Sequence, residues 1–248
     1  MNKYKDLMNY SIPVYEIQRK QGIGFIPKQI GSASICKYHD NYYIITAGHV
    51  IQDTNKHTLS FGFFDDLLFD DCMTHSMNCN DRDFAIIEIS KKIVDEIIFR
   101  NSEVHIVVKV IDFDSTEFKL IFEVTQGTYS IIGYPSSRSD LNYSKHIVTM
   151  EEKIISGKFI PENKFNSTYC YAIEYNRKHI SHEELKNITG VFPKGMSGCP
   201  VWKTDPFNPN IKEFAGVFIE FHKSDKSLVV TRSEIIFTIM KKVNSKEI

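Results

Sequence analysis

Short apolar segments, rich in Ile, Val, Phe, Tyr and Thr and separated by turn residues, recur along most of the chain. Because strands have this length and composition, and the spacing is nearly regular, the pattern predicts an all-β barrel or sandwich. The predicted strands are 42–47, 57–64, 83–89, 103–113, 118–124, 128–134, 167–175, 214–221 and 227–231. A chain of 248 residues can bury a sizeable core, and its length leaves one unit or two open.

Two helices are predicted beside the strands. Ser181, with Glu184 three residues later, has the pattern of a capping box and predicts a helix over 181–187. A second helix is expected from Ser233, since four apolar residues share one face of it: Ile236, Phe237, Met240 and Val243. The polar stretch 112–117 is the candidate linker at the middle of the chain.

Composition excludes several classes of function. Lys plus Arg is 30 and Asp plus Glu is 31, a net charge of −1 without a basic run, so neither nucleic acid nor a membrane surface is an expected partner. The N-terminus lacks the apolar core of a secretory signal, which predicts a cytoplasmic location. Reduced thiols are expected there, because the cysteines are irregularly spaced and odd in number: Cys36, Cys72, Cys79, Cys170 and Cys199.

One metal pattern is an alternative. Cys72, His75 and Cys79 lie close together in "DCMTHSMNCNDRD". They supply three zinc-ligating side chains, but at an unusual spacing and without a second pair, so an ordinary polar loop is favoured. No metal ion and no cofactor are expected.

The stretch "PKGMSGCPVW", residues 193–202, places Ser197 between two glycines. Gly, Pro and Ser make turns, and that is one interpretation. The other is a nucleophilic serine, for which flexible glycine backbone exposes N–H groups to a developing oxyanion. A nucleophilic serine also needs a histidine base and a carboxylate that orients it.

Candidates for both partners occur upstream, each at the edge of an apolar strand. His49 follows the strand in "YYIITAGHV", and Asp83 opens the strand "DFAIIEI". Each residue alone is weak evidence for a catalytic site, because such a histidine is usually structural and such an aspartate is usually a cap. Together with Ser197 they stand in the order His, Asp, Ser, which is one of the known orders of a catalytic triad.

The segments "TAGHV", "DFAIIEI" and "GMSGCPV" resemble the signatures of trypsin-like serine peptidases of the chymotrypsin fold, the bacterial members in particular. "GSASIC", "IIGYP" and "FAGVFIEF" resemble further strands of that family. The resemblance implies two antiparallel six-stranded β-barrels and a C-terminal helix, together one peptidase domain. Residues 1–115 would form the N-terminal barrel, and residues 116–248 would form the C-terminal barrel.

The same resemblance implies the role of each residue. His49 would be the general base, Asp83 its orienting carboxylate and Ser197 the nucleophile, with the N–H groups of Gly195 and Ser197 as the oxyanion hole. Asp81 competes for the carboxylate role, and Asp83 is preferred because "DFAII" carries the family's Asp-x-Ala pattern.

Departures from the family pattern concern activation and specificity. Met196 stands where zymogen-activated members carry aspartate, so activation by N-terminal cleavage is not expected. The resemblance assigns the substrate pocket to Val191, Phe218, Ile219 and Glu220, which predicts a neutral, apolar pocket with no strong Arg or Lys preference.

The expected function is a serine endopeptidase that cleaves polypeptides through an acyl-enzyme. It would be narrow in specificity or activated by a regulatory protein partner. A pseudoprotease or scaffold that binds a partner through the same fold is the alternative from another class. A hydrolase of non-peptide esters is a third interpretation.

Overall fold

The computed structural model describes residues 5–20, 24–52, 59–62, 74–79, 82–103, 105–136, 139–142, 147–150, 153–175, 192–204 and 211–246. Most of these residues lie in strands, which form two curled antiparallel sheets, and a helix follows the last strand. The predicted fold class, all-β with a C-terminal helix, is confirmed.

The first sheet is built from the first half of the chain. Its strands are β1 (Ile12–Lys20), β2 (Gly24–Tyr38), β3 (Asn41–Thr46), β4 (Leu59–Phe61), β5 (Thr74–Cys79), β6 (Arg82–Ile89) and β7 (Val110–Asp112). Six of them pair antiparallel in the order β4-β1-β2-β3-β6-β5, and β7 pairs with β2 in parallel. The six-stranded path agrees with the prediction.

The second sheet is built from the second half. Its strands are β8 (Phe118–Leu120), β9 (Thr128–Gly133), β12 (Lys153–Lys158), β13 (Cys170–Glu174), β14 (Pro200–Thr204), β15 (Lys212–His222) and β16 (Ser227–Arg232), and a separate hairpin joins β10 (Ser139–Asn142) to β11 (Ile147–Met150). The antiparallel path is β12-β9-β14-β15-β16-β13, with β8 parallel to β15. A bridge between Phe159 and Ile173 joins the end of β12 to β13, so this path closes on itself.

Four helices accompany the sheets in the described part of the chain: α1 (Lys5–Met8), α2 (Gly48–Gln52), α3 (Lys91–Glu103) and α4 (Ser233–Asn244). The helix predicted from Ser233 is confirmed as α4. Ile236, Met240 and Val243 are buried on one face of it, as its apolar period predicts, whereas Phe237 is only partly buried and Ile239 is buried instead. The helix predicted over 181–187 lies outside the described residues.

The strand predicted over 103–113 is wrong for most of its length. Helix α3 extends to Glu103, and strand structure begins only at β7. Val94, Ile97 and Asn101 are buried at helical spacing. His105 ends the helix at a φ of 62°, and the Ile106 N–H donates to the Asn101 carbonyl across this turn.

Other predicted strands are confirmed only in part, and the one predicted over 167–175 is a strand only at Cys170–Glu174. Of the strand predicted over 118–124, only Phe118–Leu120 is a strand. The Ile121 carbonyl accepts a hydrogen bond from the Ser233 hydroxyl at the start of α4 rather than from a strand. Of the strand predicted over 57–64, residues 59–61 form β4, and 57, 58, 63 and 64 lie outside the described residues.

An apolar core joins the two sheets to each other. From the first sheet it includes Tyr43, Ile45 and Phe84, and from the second Trp202 and Phe214. All five are buried, and the inner face of α4 packs on the same cluster. Burial of this much aromatic surface holds the two sheets together, so loops from both can meet in one cleft.

Candidate active site

His49 lies just beyond the end of β3. Thr46 and Ala47 are buried, and the chain then turns into the short helix α2, where Gly48 is buried and His49 is exposed. The imidazole retains 43% of its side-chain exposure. A histidine that ends a buried strand in this way is held rigidly at its backbone while its ring reaches the surface.

Asp83 lies at the start of β6, opposite Asn78 of β5. Its Oδ1 accepts a hydrogen bond from the His49 backbone N–H at 2.8 Å, and its Oδ2 lies 2.5 Å from His49 Nδ1. The side chain is 23% exposed. A Cβ at Gly48 would lie 2.8 Å from Asp83 Oδ1, so the close approach of the carboxylate requires glycine there.

Ser197 lies in a turn that precedes β14, here called the serine turn, residues 193–199. Gly195 and Gly198 on either side of it have φ of 85° and 96°. Side chains other than glycine rarely adopt this left-handed backbone, which explains the Gly-x-Ser-Gly pattern. Met196 and Cys199 are buried in the core of the second sheet and anchor the turn from beneath.

One cleft brings His49, Asp83 and Ser197 together. Its volume is about 570 Å³, and it is open to solvent. The remaining lining residues are Phe192, Pro193, Lys194, Phe218, Ile219, Glu220 and Phe221. The two sheets therefore contribute to one site, with the histidine and aspartate from the first and the serine from the second.

The backbone beside Ser197 presents two N–H groups. In the described part of the chain, neither the Gly195 N–H nor the Ser197 N–H donates a hydrogen bond. Polar backbone groups are nearly always paired when they are buried, so two neighbouring N–H groups without an acceptor suit an anionic ligand atom.

The candidate pocket residues differ in exposure and in charge. Phe218 and Ile219 are buried, whereas Glu220 is exposed. Glu220 Oε1 lies 2.6 Å from His222 Nε2, and the His222 ring stacks on Phe165 with the ring centroids 3.9 Å apart. The cleft thus has apolar walls with one carboxylate at its rim. Val191 lies outside the described residues.

The competing candidates lie largely outside the described part of the chain. Asp81 and Cys72 lie outside the described residues, and His75 and Cys79 are described only by the backbone of β5. Among the described residues, no group of His, Cys, Asp or Glu side chains is arranged to hold a metal ion.

Sequence reasoning missed several residues of the site. Phe192 and Phe221 line the cleft, and Ser32 and Ser136 hydrogen-bond to the serine turn. "GSASIC" and "IIGYP" indicated strands near Ser32 and Ser136, but no local pattern indicates which carbonyl a distant hydroxyl will contact.

Within the described residues, no helix has both the length and the apolar character to cross a bilayer.

Comparisons with known proteins give fold-level similarities. No protein-family model matches the chain, and no curated protein matches it. Among solved structures, it is similar to a catalytically inactive tobacco etch virus protease complexed with substrate, at 11% identity, with 92% of this chain and 80% of that one covered and a TM-score of 0.48.

Two further solved structures are similar. A Glu endopeptidase in complex with MPD is 16% identical, with 91% of this chain and 85% of that one covered and a TM-score of 0.47. The serine protease domain of the Sesbania mosaic virus polyprotein is 14% identical, with coverages of 90% and 94% and a TM-score of 0.43. Similarities this remote identify no chemistry, which has to be argued from the geometry of this chain.

Proposed function

We propose that the chain is a serine endopeptidase in which Ser197 attacks the carbonyl carbon of a peptide bond. The observation that carries the proposal is the pair of hydrogen bonds that fixes His49 on Asp83 in the cleft that Ser197 also lines. In this proposal residues 1–115 supply the base and its carboxylate, and residues 116–248 supply the nucleophile.

The proton transfers follow from the pairing of His49 with Asp83. An ionised carboxylate only accepts, so Nδ1 of His49 carries the hydrogen, and in the neutral ring Nε2 is then the basic nitrogen. As Ser197 Oγ forms its bond to the substrate carbon, its proton passes to Nε2. The same proton then passes to the departing amine nitrogen as the C–N bond breaks. Water repeats the sequence on the acyl-enzyme and releases the acid.

The N–H groups of Gly195 and Ser197 would bind the negative oxygen of the tetrahedral intermediate. Donors aimed at the position where charge develops stabilise the transition state more than the ground state. The loss of one such donor lowers turnover by a factor of about 10²–10³ in comparable sites.

The open edge of β15 supports a polypeptide substrate. In the described part of the chain, β15 contacts the serine turn as far as Phe218 and beyond it pairs only with β16. Residues 219–221 thus present one backbone edge toward the cleft. An extended peptide can add to such an edge as a strand, with its side chains in the neighbouring pockets.

The walls of the cleft support narrow specificity for an apolar side chain. Phe218 and Ile219 form an uncharged surface, and the exposed Glu220 stands beside it. Val191, which the family resemblance adds to this pocket, belongs to the same proposal. Activation by a regulatory protein partner belongs to the same proposal.

A cytoplasmic location belongs to the proposal as well. Cys36 and Cys199 are free and buried. Unpaired thiols of this kind are typical of a reducing compartment.

A fluorophosphonate probe tests the function directly, because it reacts only with an activated serine. Purified protein and cell lysate containing it should both show labelling, with mass spectrometry placing the adduct on Ser197. Ser197→Ala should abolish labelling, whereas Ser224→Ala, at an exposed serine in the turn between β15 and β16, should retain it. Labelling in lysate alone would indicate partner activation. Absence of labelling in both would support the pseudoprotease alternative and overturn the proposal.

A further inference from the structure

The carbonyl groups of the serine turn are hydrogen-bonded from several directions. The Lys194 carbonyl accepts from the backbone N–H of Ser136 at 2.8 Å and from its hydroxyl at 3.2 Å. The Met196 carbonyl accepts from the Cys199 N–H at 2.9 Å. These donors all belong to the second half of the chain.

The first sheet supplies the other donors. In β2, the hydroxyl of Ser32 donates to the Gly195 carbonyl at 2.9 Å, and the Ser32 backbone N–H donates to the Ser197 carbonyl at 2.7 Å. The amide of Gln29, three residues earlier, donates to the same Gly195 carbonyl at 3.2 Å and to the Tyr134 carbonyl at 2.5 Å. One strand of the first sheet therefore holds two carbonyls of a turn in the second.

In the part of the chain that the structure describes, these bonds leave the N–H groups on either side of Met196 without acceptors. All four carbonyls of residues 194–197 accept hydrogen bonds, and the N–H groups of Met196 and Gly198 donate hydrogen bonds too. Within the described residues, the N–H groups of Lys194, Gly195 and Ser197 donate none. The two N–H groups that an oxyanion requires, those of Gly195 and Ser197, are thus among those that the surrounding bonds leave available.

A held carbonyl also fixes the opposite end of its peptide group. The peptide is planar and trans, so its N–H points away from its C=O. The Gly195 N–H thus lies opposite the Lys194 carbonyl, which Ser136 holds. The Ser197 N–H lies opposite the Met196 carbonyl, which the Cys199 N–H holds.

The peptide between Gly195 and Met196 joins these two peptides, and its carbonyl is the one that Ser32 holds. At a φ of 85°, Gly195 is a pivot with little steric restraint of its own. The angle between the two outer peptides, and with it the convergence of their N–H groups, therefore depends on how the middle peptide is held.

We propose that Ser32 is a positioning residue of the oxyanion hole, with Gln29 as a second donor to the same carbonyl. The inference rests on the proposed peptidase function. Ser32 does not contact the substrate in this assignment. It acts through the Gly195 carbonyl, and so keeps the N–H groups of Gly195 and Ser197 aimed at one point in the cleft.

The test compares Ser32→Ala with a matched control, Ser34→Ala. Both serines are fully buried in β2, two residues apart on one face, and the Ser34 hydroxyl has no hydrogen-bond partner among the described residues. Gln29→Met is the second variant, because it removes the amide donor from a half-buried position. Each protein is assayed for kcat and KM on a peptide substrate, for the rate of fluorophosphonate labelling and for Tm.

The readout that separates positioning from stability is binding of a peptide aldehyde. The aldehyde adds to Ser197 and places an oxygen in the oxyanion hole, whereas the matching peptide alcohol does not. Ser32→Ala should lower kcat and aldehyde affinity by about tenfold or more, less than loss of a whole donor costs. KM and alcohol affinity should stay within about twofold, since ground-state binding does not use the hole. Gln29→Met should show a smaller change of the same kind.

The outcomes separate the two proposals. If wild type labels at Ser197 but Ser32→Ala and Gln29→Met match Ser34→Ala in kcat and aldehyde affinity, the positioning role is wrong and the peptidase function stands. If Ser32→Ala does not fold, Gln29→Met decides in the same way. If wild type neither labels nor cleaves, both proposals fall.

Discussion

Asp83 binds His49 at two points, its backbone N–H and its ring Nδ1, with a different carboxylate oxygen at each. The first bond fixes the position of the residue and the second fixes the rotation and tautomer of the imidazole. A histidine that was merely exposed at a strand end would need neither. This double contact is the geometry expected of a general base, and it leads to the first prediction.

Asp83→Asn should lower turnover by about 10⁴, as the same change does in the triad template. The asparagine amide can donate to Nδ1, which moves the ring hydrogen to Nε2 and removes the base. Steady-state kinetics measures the loss, and circular dichroism checks that the fold is intact. Asp81→Asn is the comparison variant. If Asp81→Asn causes the large loss and Asp83→Asn does not, the carboxylate has been assigned wrongly.

Ser197→Ala and His49→Ala should each remove nearly all turnover, and the double variant should be little worse than either single one. The effects of replacing two groups that act in one proton transfer are strongly non-additive. Once the first replacement has stopped the transfer, the second has little further effect on turnover. The measurement is kcat for both single variants and the double. Independent, multiplying losses would show that the two side chains do not act together.

Gly198→Ala should destabilise the fold by at least about 1–3 kcal/mol, the cost of a strained backbone position. The φ of 96° is unfavourable for alanine, and the added Cβ would overlap the carbonyl oxygen of Ser32. Urea unfolding monitored by Trp202 fluorescence reports the change in the free energy of unfolding. An unchanged midpoint and slope would mean that the serine turn relaxes freely away from β2.

Stability should fall as the pH rises from about 9 to 11. Burial raises the pKa of Cys199 to about 11, and burial also raises the pKa values of Cys36 and Tyr171. In the unfolded chain these groups ionise at their ordinary, lower pKa values. The folded state therefore binds more protons than the unfolded chain in this range. The stability that these groups contribute is fully present below their unfolded pKa values, and it is lost as the pH rises toward their folded pKa values.

Each such group adds about 1.4 kcal/mol per pH unit to the slope of stability against pH. Thermal unfolding between pH 7 and 11 measures this slope. Cys36→Ala lowers Tm at pH 7 because it leaves a cavity, but it should make the alkaline slope shallower. An equal slope in wild type and Cys36→Ala would contradict the assigned cause.

Several elements could be predicted from the sequence because their determinants are local. Apolar β-branched segments between turns predicted β3, β6, β9, β15 and β16, and a serine followed by an apolar face of helical period predicted α4. The two glycines beside Ser197 indicated a turn of unusual backbone, which their φ values bear out. Helix α3 was missed because its apolar run continues into the segment before β7, and the composition of a short run does not separate a helix from a strand.

Only the tertiary structure decided which distant groups meet. Asp83 and His49 are 34 residues apart, and Ser32 reaches Gly195 across 163 residues. Their contacts depend on the register of β3 with β6 and on the packing of one sheet against the other, which no local pattern specifies. The sequence by itself determined the kinds of side chain available, the strands that carry them and the turn around Ser197. The pairing of carboxylate with imidazole, and the bonds that leave two N–H groups available beside the serine, arose only when the shared apolar core brought the two sheets together.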